Sequence, residues 1–179
     1  MKRTRSLIYM SFLTALSIVL MRVMSFRFSI GGIEGIRIGL GSLPIVFAGI
    51  AFGPVHGGIV GAVTDIIGYL ISPMGGYVPH ITLSYFLTGF IPGAITHYIF
   101  KSANKYWMIL IAVILGQIVT SIILIPYFLF SLFGLPIVTT RVPKIFQVII
   151  EAPVYAYLIK VLLELKPFES LGFSNSSQN

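Results

Sequence analysis

Apolar residues run through this chain in six long blocks, separated by short clusters rich in charge, glycine or proline. The blocks predict helices over roughly 6–24, 38–53, 55–72, 82–100, 107–133 and 142–165. A bilayer crossing takes about 20 mostly apolar residues, and the blocks lie near that length. Gly53-Pro54 alone separates the second helix from the third, which predicts a tight hairpin. Proline is tolerated at the start of the next helix because its missing N–H would be unpaired there. A polar link, Lys101 to Lys105, joins the fourth helix to the fifth. The segments 25–37, 73–81 and 134–141 are longer and gather glycine, proline, aromatics and charge. Gly31-Gly32 reads as a hinge that would let the first of these act as a lid.

Composition turns six helices into six membrane spans. The 179 residues are 56% hydrophobic and 9% charged, with a mean hydropathy of +0.98. A soluble domain carries roughly 25% charged residues, so this chain lacks the groups to cover its surface with water. The expected fold is an all-α integral membrane protein, a bundle of six transmembrane helices that passes repeatedly through the cell membrane, with lipid on its outer faces. One membrane domain fills 1–169, and the polar tail 170–179 is expected to be disordered. Cysteine is absent, which excludes disulfides, thiolate metal sites and cysteine nucleophiles. Lys2-Arg3-Thr4-Arg5 before Leu7 to Leu20 looks like a signal peptide. It lacks a small-x-small cleavage site before Arg22, and reads as the first helix.

The net charge of +7 follows the positive-inside rule and does not point to nucleic acid. An even helix count puts both termini on one side, with Lys2, Arg3, Arg5, Lys101, Lys105, Lys160 and Lys166. The N-terminal cluster assigns that side to the cytoplasm. The opposite side holds Arg22, Arg27, Arg37, Arg141 and Lys144. Interfacial snorkelling accounts for any one of these. Five around three long outer loops favour a site for an anionic ligand.

An ionisable side chain inside a bilayer costs ~2.5–3.5 kcal/mol on insertion scales and normally faces a bundle interior or a wet cavity. Arg141, Lys144, Val148 and Glu151 recur at offsets of three, four and three, so they share one face of the sixth helix. Gln147 lies beside them and Tyr155 extends the stripe. At 1.5 Å per residue, Glu151 lies about 15 Å below Arg141, near mid-membrane. The stripe places cations at the mouth and a carboxylate at the base of one cavity; an internal ion pair between helices is the alternative. Asp65 and Tyr69 lie one turn apart on the third helix, where Asp65 is either a ligand contact or a link to a neighbouring helix. Ser84 and Thr88 share a face of the fourth helix with Tyr85 alongside. Gln117, Thr120 and Ser121 form a polar patch on the fifth; each of these hydroxyls and amides could equally be interhelical glue. Tyr77 and His80, in a loop shaped by glycine and proline, could close over a flat ring.

Enzyme chemistry finds no support. The chain has no G-x-x-x-x-G-K-[ST] phosphate loop, no H-E-x-x-H helix and no G-x-S-x-G elbow. His56 and His97 fall on the side opposite His80, so no shared metal site is expected. No cofactor is expected either.

These residues resemble the substrate-binding S-components of energy-coupling factor (ECF) vitamin transporters over roughly 6–165. The likeness is carried by Arg37-Ile38-Gly39-Leu40-Gly41-Ser42-Leu43-Pro44, by Gly53-Pro54-Val55-His56-Gly57-Gly58 and by Val60-Gly61-Ala62-Val63-Thr64-Asp65-Ile66-Ile67-Gly68. Gly76-Tyr77-Val78-Pro79 and Thr82-Leu83 continue it. Arg37 and Arg141-Val142-Pro143-Lys144 look most like the folate branch. The resemblance implies a six-helix bundle that captures a vitamin from outside and hands it inward with a transmembrane coupling subunit and two ATPase subunits. It also implies docking to the coupling subunit through small residues of the first helix, here Ser11 and Ala15. The substrate-binding set expected on both grounds is Arg22, Arg27, Arg37, Asp65, Tyr69, Tyr77, His80, Tyr85, Arg141, Lys144, Gln147 and Glu151. The alternatives are an S-component for another vitamin such as pantothenate, and a free-standing proton-coupled transporter of small solutes.

Overall fold

The computed structural model describes residues 2–23, 26–30, 33–71, 77–101, 105–134 and 136–164. Side chains are described over 6–21, 39–71, 77–101, 105–131, 134, 136–138, 141–142 and 144–164. The tail expected to be disordered, Gly31-Gly32 and Ser72 to Gly76 lie outside these residues.

The first span is α1 (Lys2–Val23). A two-stranded antiparallel hairpin follows, β1 (Phe26–Ile30) and β2 (Ile33–Ile38). Its register sets Phe26 opposite Ile38 and Arg27 opposite Arg37. The expected lid loop is therefore a regular element. Its sequence alternates apolar and polar residues around a two-residue Gly-Gly link, which is the hairpin signature.

Gly39 and a 3₁₀ turn (Leu40–Ser42) lead into α2 (Leu43–Phe52). Every residue of α2 from Leu43 to Ala51 is buried, as a helix apolar on all sides requires. Its end is set by Gly53, whose φ of 104° lies where only glycine sits without strain. Pro54 then opens α3 (Pro54–Ile71). The fourth span, α4 (Pro79–Ala94), continues as a π-helical stretch over Ile95–Phe100. The fifth comprises α5 (Tyr106–Gln117), a π-helical stretch (Ile118–Leu124) and α6 (Ile125–Phe133). Pro126 stands at its second junction; proline has no N–H to give the carbonyl four residues back and crowds it, which favours a wider turn there. The last span is α7 (Ile137–Glu164), which begins earlier than the sequence pattern predicted. Six helical spans result. Pro54–Ile71, Tyr106–Ser131 and Lys144–Glu164 are each long and apolar enough to cross a membrane, and Ser6–Met21 and Leu40–Phe52 are shorter apolar helices.

The core sits around α2, between α1, α3, α4 and α7, with Ile45, Phe47, Ile50, Val60, Ile109, Tyr155 and Ile159 fully buried. Leu7, Ile8, Phe12 and Val19 of α1, and Phe146, Ile149 and Tyr157 of α7, are exposed. Such continuous apolar faces suit lipid rather than water. Where α2, α3 and α4 meet, glycine replaces side-chain packing. A Cβ on Gly93 would lie 2.6 Å from the Gly49 carbonyl oxygen, and one on Gly57 would lie 2.8 Å from that of Gly89. Backbones can approach this closely only without side chains between them.

Several described hydroxyls on the spans are satisfied within their own helix. Thr14, Ser84, Thr88, Thr96 and Thr120 each donate to the carbonyl four residues back. Thr64 is an exception: it is fully buried, and its Oγ1 has no partner among the described residues. An unpaired buried hydroxyl is destabilising, so Thr64→Val is expected to raise stability by about 1 kcal/mol. Thermal unfolding of the detergent-purified protein checks this, and a fall in Tm would show that the hydroxyl is bonded after all.

Candidate functional site

A polar cavity opens between the spans and holds about 660 Å³ of space between atoms, its open mouth included. One wall comes from Met21 at the end of α1, Gly39, and Gly41 and Ser42 of the 3₁₀ turn. Ser84, Tyr85 and Thr88 of α4 form a second, and Gln117, Ser121 and Ile125 of the fifth span a third. Lys144, Gln147 and Glu151 of α7 complete it.

The α7 wall is a hydrogen-bonded ladder. Lys144 Nζ donates to Gln147 Oε1 at 3.3 Å, and Gln147 Nε2 donates to Glu151 Oε1 at 3.0 Å. The Gly39 N–H donates to the same Glu151 oxygen at 3.0 Å. One turn further along α7, the Tyr155 hydroxyl donates to the Gly39 carbonyl at 2.6 Å. Both backbone groups of Gly39 are thus held by one face of α7. Ser17 of α1 holds the Gly41 carbonyl in the same way. Glu151 is 7% exposed and its carboxylate is fixed through Oε1, while Oε2 makes no hydrogen bond with a described residue.

Opposite this ladder, Ser84 donates its hydroxyl proton to the His80 carbonyl at 3.1 Å, and Thr88 donates to the Ser84 carbonyl at 2.8 Å. With those protons engaged, both oxygens offer the cavity lone pairs only. The cavity is therefore rich in acceptors: a carboxylate oxygen and two hydroxyl oxygens. A solute bearing hydrogen-bond donors suits it.

The residues expected from sequence fall into three groups. Tyr85, Lys144, Gln147 and Glu151 lie together on the cavity wall. Asp65, Tyr69, Tyr77 and His80 do not line it. Asp65 Oδ2 accepts from Thr82 Oγ1 at 2.6 Å, Thr82 meets the Tyr77 hydroxyl at 2.7 Å, and the Tyr69 and Tyr77 rings are 5.3 Å apart. These groups form a clasp between α3 and the start of α4, so Asp65 here links two helices. His80 is exposed and faces Phe128 with ring centroids 4.9 Å apart. Arg141 is exposed and off the wall, so the stripe reaches the cavity only from Lys144 inward. The side chains of Arg22, Arg27 and Arg37 lie outside the described residues.

Sequence reasoning noticed Ser84, Thr88, Gln117 and Ser121 but left open whether they face a cavity or join helices. Their spacing of four residues was the available signal. Gly39 contributes through its backbone amide, which no residue pattern reveals.

Six apolar spans around an open polar cavity define a membrane protein that holds a small solute between its helices. The family described as "ECF-type riboflavin transporter, S component" matches residues 1–164, and the chain belongs to this family of ECF transporter S-components. "Folate transporter FolT" of Clostridium novyi (strain NT) is 32% identical over 159 residues, which cover 89% of this chain and 88% of that protein. A crystal structure of FolT bound with folic acid superposes with a TM-score of 0.74 at 28% identity, covering 92% of this chain and 97% of the other. A structure described as the S component of a bacterial ECF transporter gives 0.66 at 26%, covering 89% and 94%. The fold is shared as well with an S-component for biotin, with a TM-score of 0.71 at 22% identity over 95% of this chain and 96% of that one. The family is one of transporter components, not of enzymes, as the missing catalytic motifs led one to expect.

Proposed function

We propose that this chain is the folate-binding S-component of an ECF importer in the cell membrane, with both termini in the cytoplasm. It captures folate from outside, and a transmembrane coupling subunit with two ATPase subunits drives release inward. The observation that carries the cargo reading is the α7 ladder, which grades from Lys144 to the mid-helix carboxylate of Glu151, both on the cavity wall. Folate matches this gradient: its glutamate tail is anionic and its pterin ring bears N–H donors. The similarity to FolT supports the same reading.

In this reading the pterin lies against Glu151 and Tyr85. A carboxylate with both oxygens free would accept the ring's donor pair bidentately. With Glu151 Oε1 already accepting two N–H groups, Oε2 takes one ring donor instead. Arg22, Arg27, Arg37, Arg141 and Lys144 receive the two tail carboxylates through charge-assisted hydrogen bonds. The clasp of Asp65, Tyr69 and Tyr77, with His80, shapes the rim. Ser11 and Ala15, both exposed on α1, supply the small-residue face on which the coupling subunit docks.

Calorimetric titration of the detergent-purified chain with folic acid, pantothenate, thiamine, riboflavin and biotin tests the proposal. Folic acid is expected to bind at least 100-fold more tightly than any of the others. Riboflavin, after which the matching family is described, is the second reading, and its winning the panel would replace folate. Uptake by the chain alone in liposomes, driven by a pH gradient, would instead revive the proton-coupled transporter.

A further inference from the structure

We propose that Gln117 is a specificity-determining residue whose side-chain amide hydrogen-bonds the ring end of the cargo. The inference rests on the folate reading above and goes beyond it by assigning a contact on the fifth span. Gln117 lines the cavity and is 5% exposed. Its Oε1 is buried with no hydrogen-bond partner among the described residues.

Leaving an amide oxygen buried and unpaired costs about 1–3 kcal/mol, so a group kept this way in a cavity wall calls for an explanation. The neighbouring hydroxyl does not supply a donor, because Thr120 Oγ1 is committed to the Gly116 carbonyl at 2.9 Å. A solute in the cavity would supply the missing partner.

Gln117 is also the last residue of α5, immediately before the π-helical stretch Ile118–Leu124. Such insertions are uncommon and recur at functional sites. The terminal amide torsion of glutamine is broad and roughly two-fold. A half-turn about it breaks no hydrogen bond to a described residue, and it presents either the oxygen or the NH₂ group to the cavity. Glu151 has one oxygen left for the cargo, whereas a pterin edge carries several polar atoms. Gln117 takes one of those that Glu151 does not.

The test pairs thermal unfolding of the ligand-free protein with folic acid titration, for wild type and Gln117→Met. Methionine keeps the length of the side chain and removes the amide. The expected result is binding weakened at least tenfold with an unchanged or higher Tm, because the unpaired oxygen is gone. Affinity within twofold of wild type overturns the proposal. A lower Tm with weakened binding also overturns it, since the amide would then be holding helices together. Should Gln117→Met not fold, Gln117→Asn, which withdraws the same amide by one methylene, is read by the same criteria. If wild type binds riboflavin and not folic acid, the folate reading fails by itself, and the same pair titrated with riboflavin decides the role of Gln117.

Discussion

Replacing Glu151 by glutamine is expected to weaken folic acid binding about 30- to 100-fold in calorimetric titration of the purified chain. The carboxylate sits mid-helix in α7, fixed through Oε1 by the Gly39 N–H and by Gln147. Glu151 lines the cavity, and a ring donor bound by Oε2 would meet a negative charge. A hydrogen bond to a charged group contributes about 1.5–3 kcal/mol, and each 1.4 kcal/mol is tenfold in affinity. Glutamine has nearly the same volume, and its carbonyl oxygen can still accept from Gly39, so the wall should keep its shape. Its NH₂ group would then confront the donor that Oε2 had accepted. The ligand-free variant should therefore unfold within a few degrees of wild type while losing cargo. Arg141→Ala measures the opposite end of the stripe, where tail carboxylates would bind. Should both variants bind folic acid within twofold of wild type, the stripe is structural and the folate site lies elsewhere.

The second large effect concerns folding. Gly89→Ala and Gly57→Ala are each expected to destabilise the bundle by about 3 kcal/mol or more, at the upper end of overpacking costs. A Cβ at Gly89 would overlap the Gly57 carbonyl, and one at Gly57 would overlap Gly49 Cα as well as approach the Gly89 carbonyl. The obstacles are backbone atoms of three helices, and relief requires whole helices to separate. Gly58→Ala provides the internal comparison. The three atoms nearest its Cβ would all belong to the ring of Phe86, the first at 2.5 Å, and a side chain can rotate away, so about 1 kcal/mol is expected. Thermal unfolding followed by size-exclusion of the detergent-solubilised variants gives the ranking. Equal losses for Gly89→Ala and Gly58→Ala would mean that the backbone contact is not the constraint.

These two predictions draw on different layers of information. Glu151 was visible as a carboxylate in the middle of an apolar helix, because the cost of burying charge makes such a residue conspicuous. The same reasoning singled out Asp65, yet that carboxylate accepts from Thr82, which in turn meets Tyr77, and Asp65 does not line the cavity. Both acids satisfy the rule that a charge in a span needs partners; the rule does not say whether those partners are protein or solute. The hairpin was also legible, since Phe26-Arg27-Phe28 and Ile36-Arg37-Ile38 alternate around a Gly-Gly link, although it was read as a loop. Gly39 was not legible, because its contribution to the site is a peptide N–H.

Sequence alone determined the number of spans, their membrane setting, the absence of catalytic motifs and the α7 face that lines the cavity. Each of these follows from composition or from helical periodicity, which are local properties of the chain. Tertiary structure decided which polar groups converge: Gly39 on Glu151, Ser84 and Thr88 opposite them, and Gln117 on the third wall with its oxygen unpaired. It also decided that four glycines from three helices meet at one junction. These outcomes depend on how helices far apart in sequence cross one another, and crossing is set by packing across the whole bundle rather than by any one segment.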